Sequence, residues 1–519
     1  MTLSYKPFLI CLTTLAAVAL LSSCAHIPSV GPNFKKPEAP KVDGYTPKPL
    51  SPTTSSATNV LGGEAQRFVS GQDVPFDWWT TFQCPALSKL VDEALRRNAS
   101  ITAAWAALRQ AKELVYAQQG YYYSSVDADY NVTRQQAAGN IANSTAPGYQ
   151  ANGTAIFPLQ SSSPPYNSAL TWTMHVAQLT VGYTPDVFGL NRRTVESLDA
   201  QAAMQRFELD AAYITLASSA VGAAIQEAST RSQIEATEKI IAANVKILEA
   251  LKNQRTSGYV CDLDVAAQEA QLAQVEATLP PLQKQLEQTR DLIRALVDNL
   301  PSQDVEETFL FSSLHLPQDL PLSLPSTIIR QRPDVRAAEE NMRSANAQVG
   351  VAIANRLPQF TLTANGSGTA TVIAEMFSRG GPGWSVAADV SQPLFEGFTL
   401  LHRQRAAKQA FIQAVAQYRT TVIAAFQNVA DTLHALVSDA DALKAADKAE
   451  HAAKHSLDLA TSQYQTGYAS YLALLSAEQT YDQAVINTVQ AQANRYADTA
   501  ALFEALGGGW WNRAELTKK

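Results

Sequence analysis

Two long segments of the chain have the pattern of uninterrupted helices. Residues 191–255 contain no proline and one glycine, Gly222, and residues 399–466 contain neither residue type. Both segments are rich in Ala, Gln, Glu and Leu, which suits close packing of helices in a bundle or coiled coil. At 1.5 Å per residue each helix would be roughly 100 Å long, too long for the interior of one compact globule. A shorter helical pattern covers residues 85–108.

Four other segments alternate between apolar and polar residues with the period of two that is typical of β-strands. The alternation is regular in residues 126–133, 360–365 and 384–391. In residues 172–183 the apolar side chains change from even to odd positions after Val176, which predicts a β-bulge. Each strand would have one apolar face, as a soluble sandwich or a membrane barrel requires, and the period alone does not separate these folds.

The first 23 residues have the layout of a secretory signal peptide. Lys6 precedes a mostly apolar stretch from Phe8 to Leu21, which is shorter than the roughly 20 apolar residues of a membrane span. Cys24 then stands where a bacterial lipoprotein carries its lipid, so we predict lipidation of Cys24 and acyl chains held in a bilayer. Ala25 follows, rather than the aspartate that favours retention in the inner membrane. The expected location is therefore the Gram-negative outer membrane, with the chain extending into the periplasm.

Export and lipidation favour the membrane barrel over the sandwich. An outer-membrane barrel needs at least about eight strands so that no strand edge meets lipid, and this chain offers four. Several chains must therefore build the barrel, since two copies would supply eight strands and three copies twelve. An eight-stranded barrel is filled by its own side chains, whereas a wider barrel can enclose an aqueous lumen.

The order of predicted elements repeats along the chain. Helix, strand, loop, strand, long helix and shorter helix occupy residues 85–300 and again residues 325–507. An offset of 209 residues (467 minus 258) aligns Gly258 with Gly467, Tyr259 with Tyr468, Gln254 with Gln463, Leu263 with Leu472 and Glu269 with Glu478. We therefore predict two copies of one ancestral half, together with a signal peptide (1–23), a lipid-anchored extended segment (24–84), a linker (301–324) and a C-terminal tail (508–519).

Composition argues against a nucleic-acid surface and against a transmembrane helix. Charged residues make up 17% of the 519, and 40 basic against 47 acidic residues give a net charge of −7. The basic residues are scattered, and no apolar run after the signal peptide reaches spanning length. Cys84 and Cys261, the cysteines beyond Cys24, are too few and too far apart in sequence for a disulfide framework, and we predict that they do not pair.

Candidate catalytic and metal chemistry is weak. His451 and His455 have the helical i,i+4 spacing that can bind a metal, but the glutamate of a zinc hydrolase motif is missing, so we interpret them as a solvated helix face. The sequence has no phosphate-binding loop, Cys-x-x-Cys pair or nucleophile elbow. We therefore predict no enzyme activity and no cofactor. Residues 121–123, three tyrosines, fit interfacial aromatics at a membrane boundary better than a binding site.

A set of short motifs runs in order along nearly the whole mature chain. The motifs are VGPNFKKP (30–37), WWTTF (78–82), LPS (324–326), RPDVRAAE (332–339), ANAQVGVA (345–352), PLFEG (393–397) and FQNVAD (426–431). In these motifs the chain resembles the TolC-like outer-membrane factors, in the lipoprotein branch of OprM and NodT relatives. It departs from them at Cys84, where the family usually has an aspartate before the proline.

This resemblance implies a mainly α-helical homotrimer with a membrane β-barrel. Each chain would contribute four strands to a twelve-stranded outer-membrane barrel, which the long helices would continue as an α-helical barrel through the periplasm. The termini and the linker would form an equatorial belt. The implied function is a passive exit channel of a tripartite efflux system, which receives small molecules from a periplasmic adaptor protein and an inner-membrane pump of the resistance-nodulation-division (RND) type.

The resemblance also assigns roles to the two Gly-Tyr turns between the long and shorter helices. Gly258, Tyr259, Gly467 and Tyr468 would form the periplasmic mouth and contact the adaptor. Glycine suits such turns because it adopts positive φ at little steric cost.

The gate of the channel is implied at four further positions. Asp264 and Tyr464 match residues that hold the mouth closed through polar links. Ala473 and Ser476 stand where the family often has a ring of carboxylates. Neither side chain carries a charge, so the acidic ring and its cation selectivity are not expected here.

Two alternative functions use the same features. An outer-membrane duct for type I protein secretion would have the same fold. A lipoprotein scaffold would bridge the membranes with its helices alone, and the alternating strands argue against it, because a lipid-tethered scaffold needs no barrel. A pump and an adaptor encoded beside this chain would identify the system.

Overall fold

The computed structural model describes residues 29–38, 42, 44–57, 60–137, 148–149, 155–156, 170–378 and 380–513. The predicted signal peptide and the predicted lipidation site Cys24 lie outside these residues. No helix in the described part of the chain is both long and apolar enough to cross a bilayer.

Most of the described residues are helical. The α-helices are α1 (Pro85–Arg97), α2 (Ala99–Gln119), α3 (Leu190–Thr256), α4 (Asp262–Glu276), α5 (Leu279–Leu296), α6 (Pro325–Gln331), α7 (Pro333–Ala354), α8 (Thr399–Gln465) and α9 (Tyr471–Ala505). The two predicted long helices are confirmed as α3 and α8, each of 67 residues. Neither contains a proline that would remove a hydrogen bond from the helix.

The helical pattern predicted over residues 85–108 is confirmed as two helices, because Asn98 interrupts it between α1 and α2. Asn98 has an extended backbone (φ −60°, ψ 128°), and its Oδ1 accepts a hydrogen bond from the Ser100 amide at 2.8 Å. The asparagine side chain thus satisfies a backbone donor at the start of α2 and replaces a bond within the helix. A second break separates α4 from α5, where Pro280 and Pro281 have no amide hydrogen to donate.

The strands form one larger sheet and two small ones. They are β1 (Arg67–Ser70), β2 (Ser125–Ala137), β3 (Gly148–Tyr149), β4 (Ala155–Ile156), β5 (Leu170–Tyr183), β6 (Asp319–Leu322), β7 (Gln359–Ala370) and β8 (Pro382–Ser391). The four predicted strands are confirmed as an antiparallel sheet in the order β2-β5-β7-β8. The parallel pair β1-β6 joins the segment before α1 to the linker and was not predicted, because four residues are too few to show an alternation.

The β-bulge predicted in β5 is not present. All 13 residues of β2 pair one to one with β5, and the pairing of β5 with β7 is equally regular. The apolar side chains change face within a regular strand, so that Trp172 and Met174 lie opposite Gln135 and Thr133 of β2. A change of face therefore needs no inserted residue here.

One face of the four-stranded sheet is apolar and exposed. Even-numbered residues of β2, β7 and β8 share this face with odd-numbered residues of β5, as the pair of Val126 and Val181 illustrates. Val126 is 63% exposed, Trp384 79% and Val386 74%. The opposite face is polar next to these positions, with Asp127 adjoining Val126. An exposed apolar surface of this kind indicates contact with lipid or with a protein partner.

The chain divides into two compact units by its internal contacts. One unit contains the four-stranded sheet, within Gln110–Ala202 and Asn341–Val415, together with the described residues up to Lys35. The other consists of Lys36–Arg109, Ala203–Glu340 and Ala416–Lys519. Its core includes an aromatic cluster in which Trp78 stacks on Phe503 with the ring centroids 5.1 Å apart.

Candidate functional site

The turn after α3 ends the helix with a left-handed glycine. Gly258 has φ 78°, and its amide donates to the Arg255 carbonyl at 2.9 Å. The Tyr259 amide donates to the Gln254 carbonyl, also at 2.9 Å. This pair of bonds is the Schellman motif, which satisfies carbonyls that the end of a helix leaves without partners.

The turn after α8 repeats this geometry. Gly467 has φ 77°, and its amide donates to the Tyr464 carbonyl at 3.1 Å. The Tyr468 amide donates to the Gln463 carbonyl at 2.8 Å. The backbone conformation is therefore the same in both halves of the chain.

The two turns present an exposed apolar surface, which we call the tip patch. Tyr259 is 83% exposed and Tyr468 87%, and the two leucines four residues further on, Leu263 and Leu472, are 75% and 71% exposed. The sequence resemblance drew attention to the tyrosines and not to the leucines. The repeat aligns the two leucines at the offset of 209 residues, and this recurrence is the signal that points to them.

The two turns are tied together beneath the tip patch. The Tyr464 hydroxyl at the end of α8 donates to Oε1 of Gln254 at the end of α3, at 2.9 Å. A cluster of apolar side chains lies below this bond and includes Leu251, Val265 and Tyr471. Packing and this hydrogen bond between helices help to hold the two tips side by side.

The two predicted gate residues Asp264 and Tyr464 do not bond to each other. The Asp264 carboxylate accepts from the Cys261 amide at 3.4 Å and from its thiol at 3.2 Å, and so caps the start of α4. Burial raises the pKa of Tyr464, and the nearby Asp264 charge raises it further. The structure thus brings the two side chains into electrostatic range and gives each a different hydrogen-bond partner.

The other two predicted gate positions lie on the first turns of α9. Ala473 and Ser476 are both exposed, and the Ala473 amide donates to the Ser470 hydroxyl at 3.3 Å, which caps the helix. Within one chain these positions make no contact that would close a pore, and their role at a gate stays a prediction.

A buried polar network lies on the side of the tip patch away from the turns and was missed by the sequence reasoning. The Tyr471 hydroxyl of α9 donates to Oε1 of Gln268 in α4. Nε2 of Gln268 in turn donates to Oδ1 of Asn244 in α3 at 2.9 Å. Each helix contributes one buried polar side chain, so the network fixes the register of three helices.

Two carboxyl groups adjoin this network. Glu478 is 6% exposed, and burial together with neighbouring Asp482 raises its pKa to about 7. Burial also raises the pKa of Asp482, to about 6, although a hydrogen bond from Asn244 lowers this pKa in part. Oε2 of Glu478 and Oδ2 of Asp482 have no hydrogen-bond partner among the described residues. Near neutral pH, protonation at Glu478 avoids an uncompensated buried charge.

The remaining candidate residues lie where the sequence placed them. Cys84 is buried immediately before α1, Cys261 is exposed immediately before α4, and both are free thiols. His451 and His455 are exposed on α8, and His451 lies 3.4 Å from Asp447. No group of three or more His, Cys, Asp or Glu side chains able to hold a metal occurs in the described part of the chain.

Comparison with known proteins identifies the family. The model of the outer membrane efflux protein family matches residues 90–298 and 324–508, which is most of the chain. This chain belongs to the outer membrane efflux protein family. It is 25% identical to the pyoverdine export outer membrane protein OpmQ of Pseudomonas putida over 89% of this chain and 94% of that protein. It is 26% identical to the outer membrane protein OprJ of Pseudomonas aeruginosa over 93% of each chain.

Solved structures of outer-membrane channels share the fold of this efflux family member. The channel OprN superposes with a TM-score of 0.76 at 24% identity, covering 93% of this chain and 99% of OprN. The channel CmeC of Campylobacter jejuni superposes with a TM-score of 0.78 at 20% identity, covering 93% of this chain and 95% of CmeC. The mainly helical, TolC-like fold predicted from the sequence is therefore confirmed.

Proposed function

We propose that this chain is the passive outer-membrane exit channel of a tripartite efflux system. The observation that carries the proposal is the exposed apolar face of the sheet formed by β2, β5, β7 and β8, in a chain whose helices reach 67 residues. A sheet with one apolar and one polar face suits a barrel wall that has lipid outside and water inside. The long helices suit a conduit that continues into the periplasm.

The proposed channel is a homotrimer. The sheet order leaves β2 and β8 as its edges, and an edge strand with unpaired amides and carbonyls cannot face lipid. Pairing β2 of one copy with β8 of the next would close the sheet. Three copies would give the twelve strands that a water-filled lumen requires, whereas two would give a barrel filled by side chains.

The proposed partners are a periplasmic adaptor and an inner-membrane RND pump. The tip patch of Tyr259, Leu263, Tyr468 and Leu472 fits the adaptor, because exposed apolar side chains on a rigid turn gain most by burial against a partner. Acyl chains on Cys24 would add a lipid anchor in the outer membrane. In this arrangement the pump supplies the energy, and the channel carries out no catalysis and needs no cofactor.

The relatives favour small molecules over polypeptides as cargo. OpmQ is named for export of pyoverdine, and TtgF of Pseudomonas putida, which is 25% identical to this chain, is named for efflux of toluene. A duct for type I protein secretion would have the same fold and is the second candidate. An accumulation assay with small fluorescent dyes separates the two, since a secretion duct would leave dye efflux unchanged.

Neighbouring positions on β8 test whether the apolar face meets lipid. Val386 lies on that face and Ala387 on the opposite face of the same strand, and both are exposed. Val386→Lys should reduce insertion into the outer membrane, because a lysine facing the bilayer midplane costs about 2–4 kcal/mol. Ala387→Lys, the matched control, should insert and conduct in planar bilayers. Equal insertion of both variants, or an absence of conductance in the unmodified protein, would contradict the channel.

A further inference from the structure

An apolar cavity of about 340 Å³ lies within the unit that contains the four-stranded sheet. It sits where the end of α2, the connection from β5 to α3 and the start of β7 come together. Its apolar lining includes Tyr121, Pro185, Val187, Phe188, Leu190 and Phe360. A cavity of this size is at the lower end of the range for small-molecule sites.

The cavity adjoins the apolar face of the sheet. Phe360 lines the cavity and also pairs with Val390 of β8, which is exposed on that face. Phe188 lies 6.4 Å from Phe360 between ring centroids. If the apolar face meets lipid, as the proposed function requires, the cavity lies at the edge of the hydrocarbon region.

Most polar groups in the lining of the cavity already have hydrogen-bond partners within the protein. The Asp186 carboxylate accepts from the amides of Asn191 and Arg192 at 2.9 and 2.8 Å, which caps α3. Oδ1 of Asn191 accepts from Gln118 at 2.6 Å. Nδ2 of Asn191, by contrast, is buried with no hydrogen-bond partner among the described residues. A hydrocarbon chain would fill the apolar space, and Nδ2 of Asn191 is not exposed to it.

The first described residues of the chain are fixed at the rim of the cavity. The Val30 amide donates to the Phe188 carbonyl at 3.1 Å, and Nε of Arg193 donates to the Val30 carbonyl at 3.0 Å. Gly189 has φ 79°, and a Cβ placed on it would come within 2.4 Å of Cβ of Ser29. This close approach and the two hydrogen bonds hold the segment against the start of α3.

Cys24 is within reach of the cavity from this fixed point. Ser29 is five positions after Cys24, and a fully extended chain covers at most about 18 Å over that distance. Lipid attached to Cys24 would therefore carry its acyl chains within reach of the apolar lining.

We propose that the cavity binds one acyl chain of the lipid attached to Cys24. The proposal rests on the lipid anchor included in the proposed function. It gives the lipid anchor a binding site on the protein beside the sheet, in addition to the insertion of the lipid in the bilayer. Neither the channel activity nor the partners depend on it.

Photo-crosslinking with a fatty acid that becomes part of the anchor tests the proposal. Cells producing the full-length protein are fed a palmitate analogue that carries a diazirine and an alkyne, irradiated, and analysed by mass spectrometry of peptides. We expect an intramolecular cross-link from the Cys24 peptide to residues 184–194 or 358–360. Label on Cys24 without this cross-link would show that the acyl chain does not bind in the cavity. Absence of label on Cys24 would overturn both the lipid anchor and its binding in the cavity.

Three variants distinguish the sources of lipid. Val187→Trp fills the cavity and should abolish the cross-link while the label on Cys24 remains. Val386→Trp, which adds the same ring on the exposed apolar face outside the cavity, should retain the cross-link. In Cys24→Ser the cavity should lose its acyl cross-link, and retention there would show that bulk membrane lipid occupies the cavity. Conductance measured on the same samples reports separately on the proposed channel.

Discussion

Glu478 and Glu269 occupy equivalent positions in the two halves of the chain but have different surroundings. Glu269 is exposed and forms an ion pair with Lys252 at 2.8 Å, whereas Glu478 is buried. The position equivalent to Lys252 is Thr461, which offers no cation. The second half therefore packs the carboxyl group of α9 without the charge partner that the first half provides, and burial then favours the neutral form.

We expect the packing around Glu478 to weaken as pH rises. Burial raises its pKa from 4.5 to about 7, so the packed state binds the proton more tightly than the unfolded chain does. The contribution of the protonated carboxyl to the free energy of unfolding is fully present below about pH 4.5. This contribution is lost as pH rises through about 7, and the total loss is roughly 3 kcal/mol. Glu478→Gln, which stays neutral, should raise the apparent Tm in mildly alkaline buffer, as measured by scanning calorimetry.

The matched control for this experiment is Glu269→Gln. Because Glu269 is exposed, its replacement should leave the dependence of Tm on pH nearly unchanged. In Glu478→Gln a smaller dependence of Tm on pH should remain near pH 6, because the pKa of Asp482 is about 6. An unaltered pH profile in the Glu478 variant would show that this carboxyl does not couple to the packing of α9.

At the scale of elements, the helix ends near the tip patch combine rigid turns with weak ties between helices. The Schellman motifs at Gly258 and Gly467 fix each turn locally. Between the turns, one described hydrogen bond, from Tyr464 to Gln254, crosses from α8 to α3. Such a bond contributes only about 0.5–1.5 kcal/mol, which suits a mouth whose helices must separate.

We expect Tyr464→Phe to make the proposed mouth open more easily. The variant keeps the ring and loses the hydrogen bond to Gln254, so closed states should be less populated by roughly a factor of two to ten. Single-channel recording in planar bilayers measures the open probability. Tyr468→Phe, the control, removes a hydroxyl from an 87% exposed side chain and should behave as the unmodified protein. Identical recordings for both variants would place the constriction elsewhere.

We expect charges on the tip patch to prevent assembly with the adaptor. The double variant Leu263→Asp, Leu472→Asp replaces two exposed apolar side chains, so burial against a partner would cost free energy. Leu459→Asp, at a half-exposed leucine of α8 outside the tip patch, is the control. Co-purification of the adaptor should be lost in the double variant only, with insertion in the membrane unchanged. Retained co-purification would move the contact away from the tips.

For the whole molecule, membrane affinity has two proposed sources, the apolar face of the sheet and the lipid on Cys24. The sheet presents large exposed apolar side chains such as Trp384 and Val390. Acyl chains anchor a protein at one side of a membrane, whereas a closed set of strands crosses the hydrocarbon and satisfies its own backbone in lipid. The sheet should therefore dominate insertion.

We expect Cys24→Ser, expressed with its own signal peptide, to lose incorporated palmitate and still form trimers in the outer membrane. The physical reason is that the strands provide their own affinity for lipid. Membrane fractionation, metabolic labelling and native mass spectrometry of the detergent-extracted protein give the three readouts. Label that persists in the variant would refute lipidation at Cys24, and a mass of two chains would refute the trimer.

The sequence by itself determined the long helices, the four main strands and the paired Gly-Tyr turns. Each depends on interactions between residues close in the chain, such as bonds along α3 or the left-handed conformation of Gly258, so local patterns are sufficient to find them. The motifs added the family, because they run in order from residue 30 to residue 431.

Only the tertiary structure decided the burial of Glu478, the regular register of β5 and the pairing of β1 with β6. Each of these features depends on which segment, distant in sequence, packs or pairs with the residues concerned. The same local sequence pattern is compatible with more than one such segment. Glu478 and Glu269 demonstrate the point, since equivalent residues on equivalent helices differ in exposure. Desolvation and strand pairing arise from neighbours in space, and a one-dimensional pattern does not specify those neighbours.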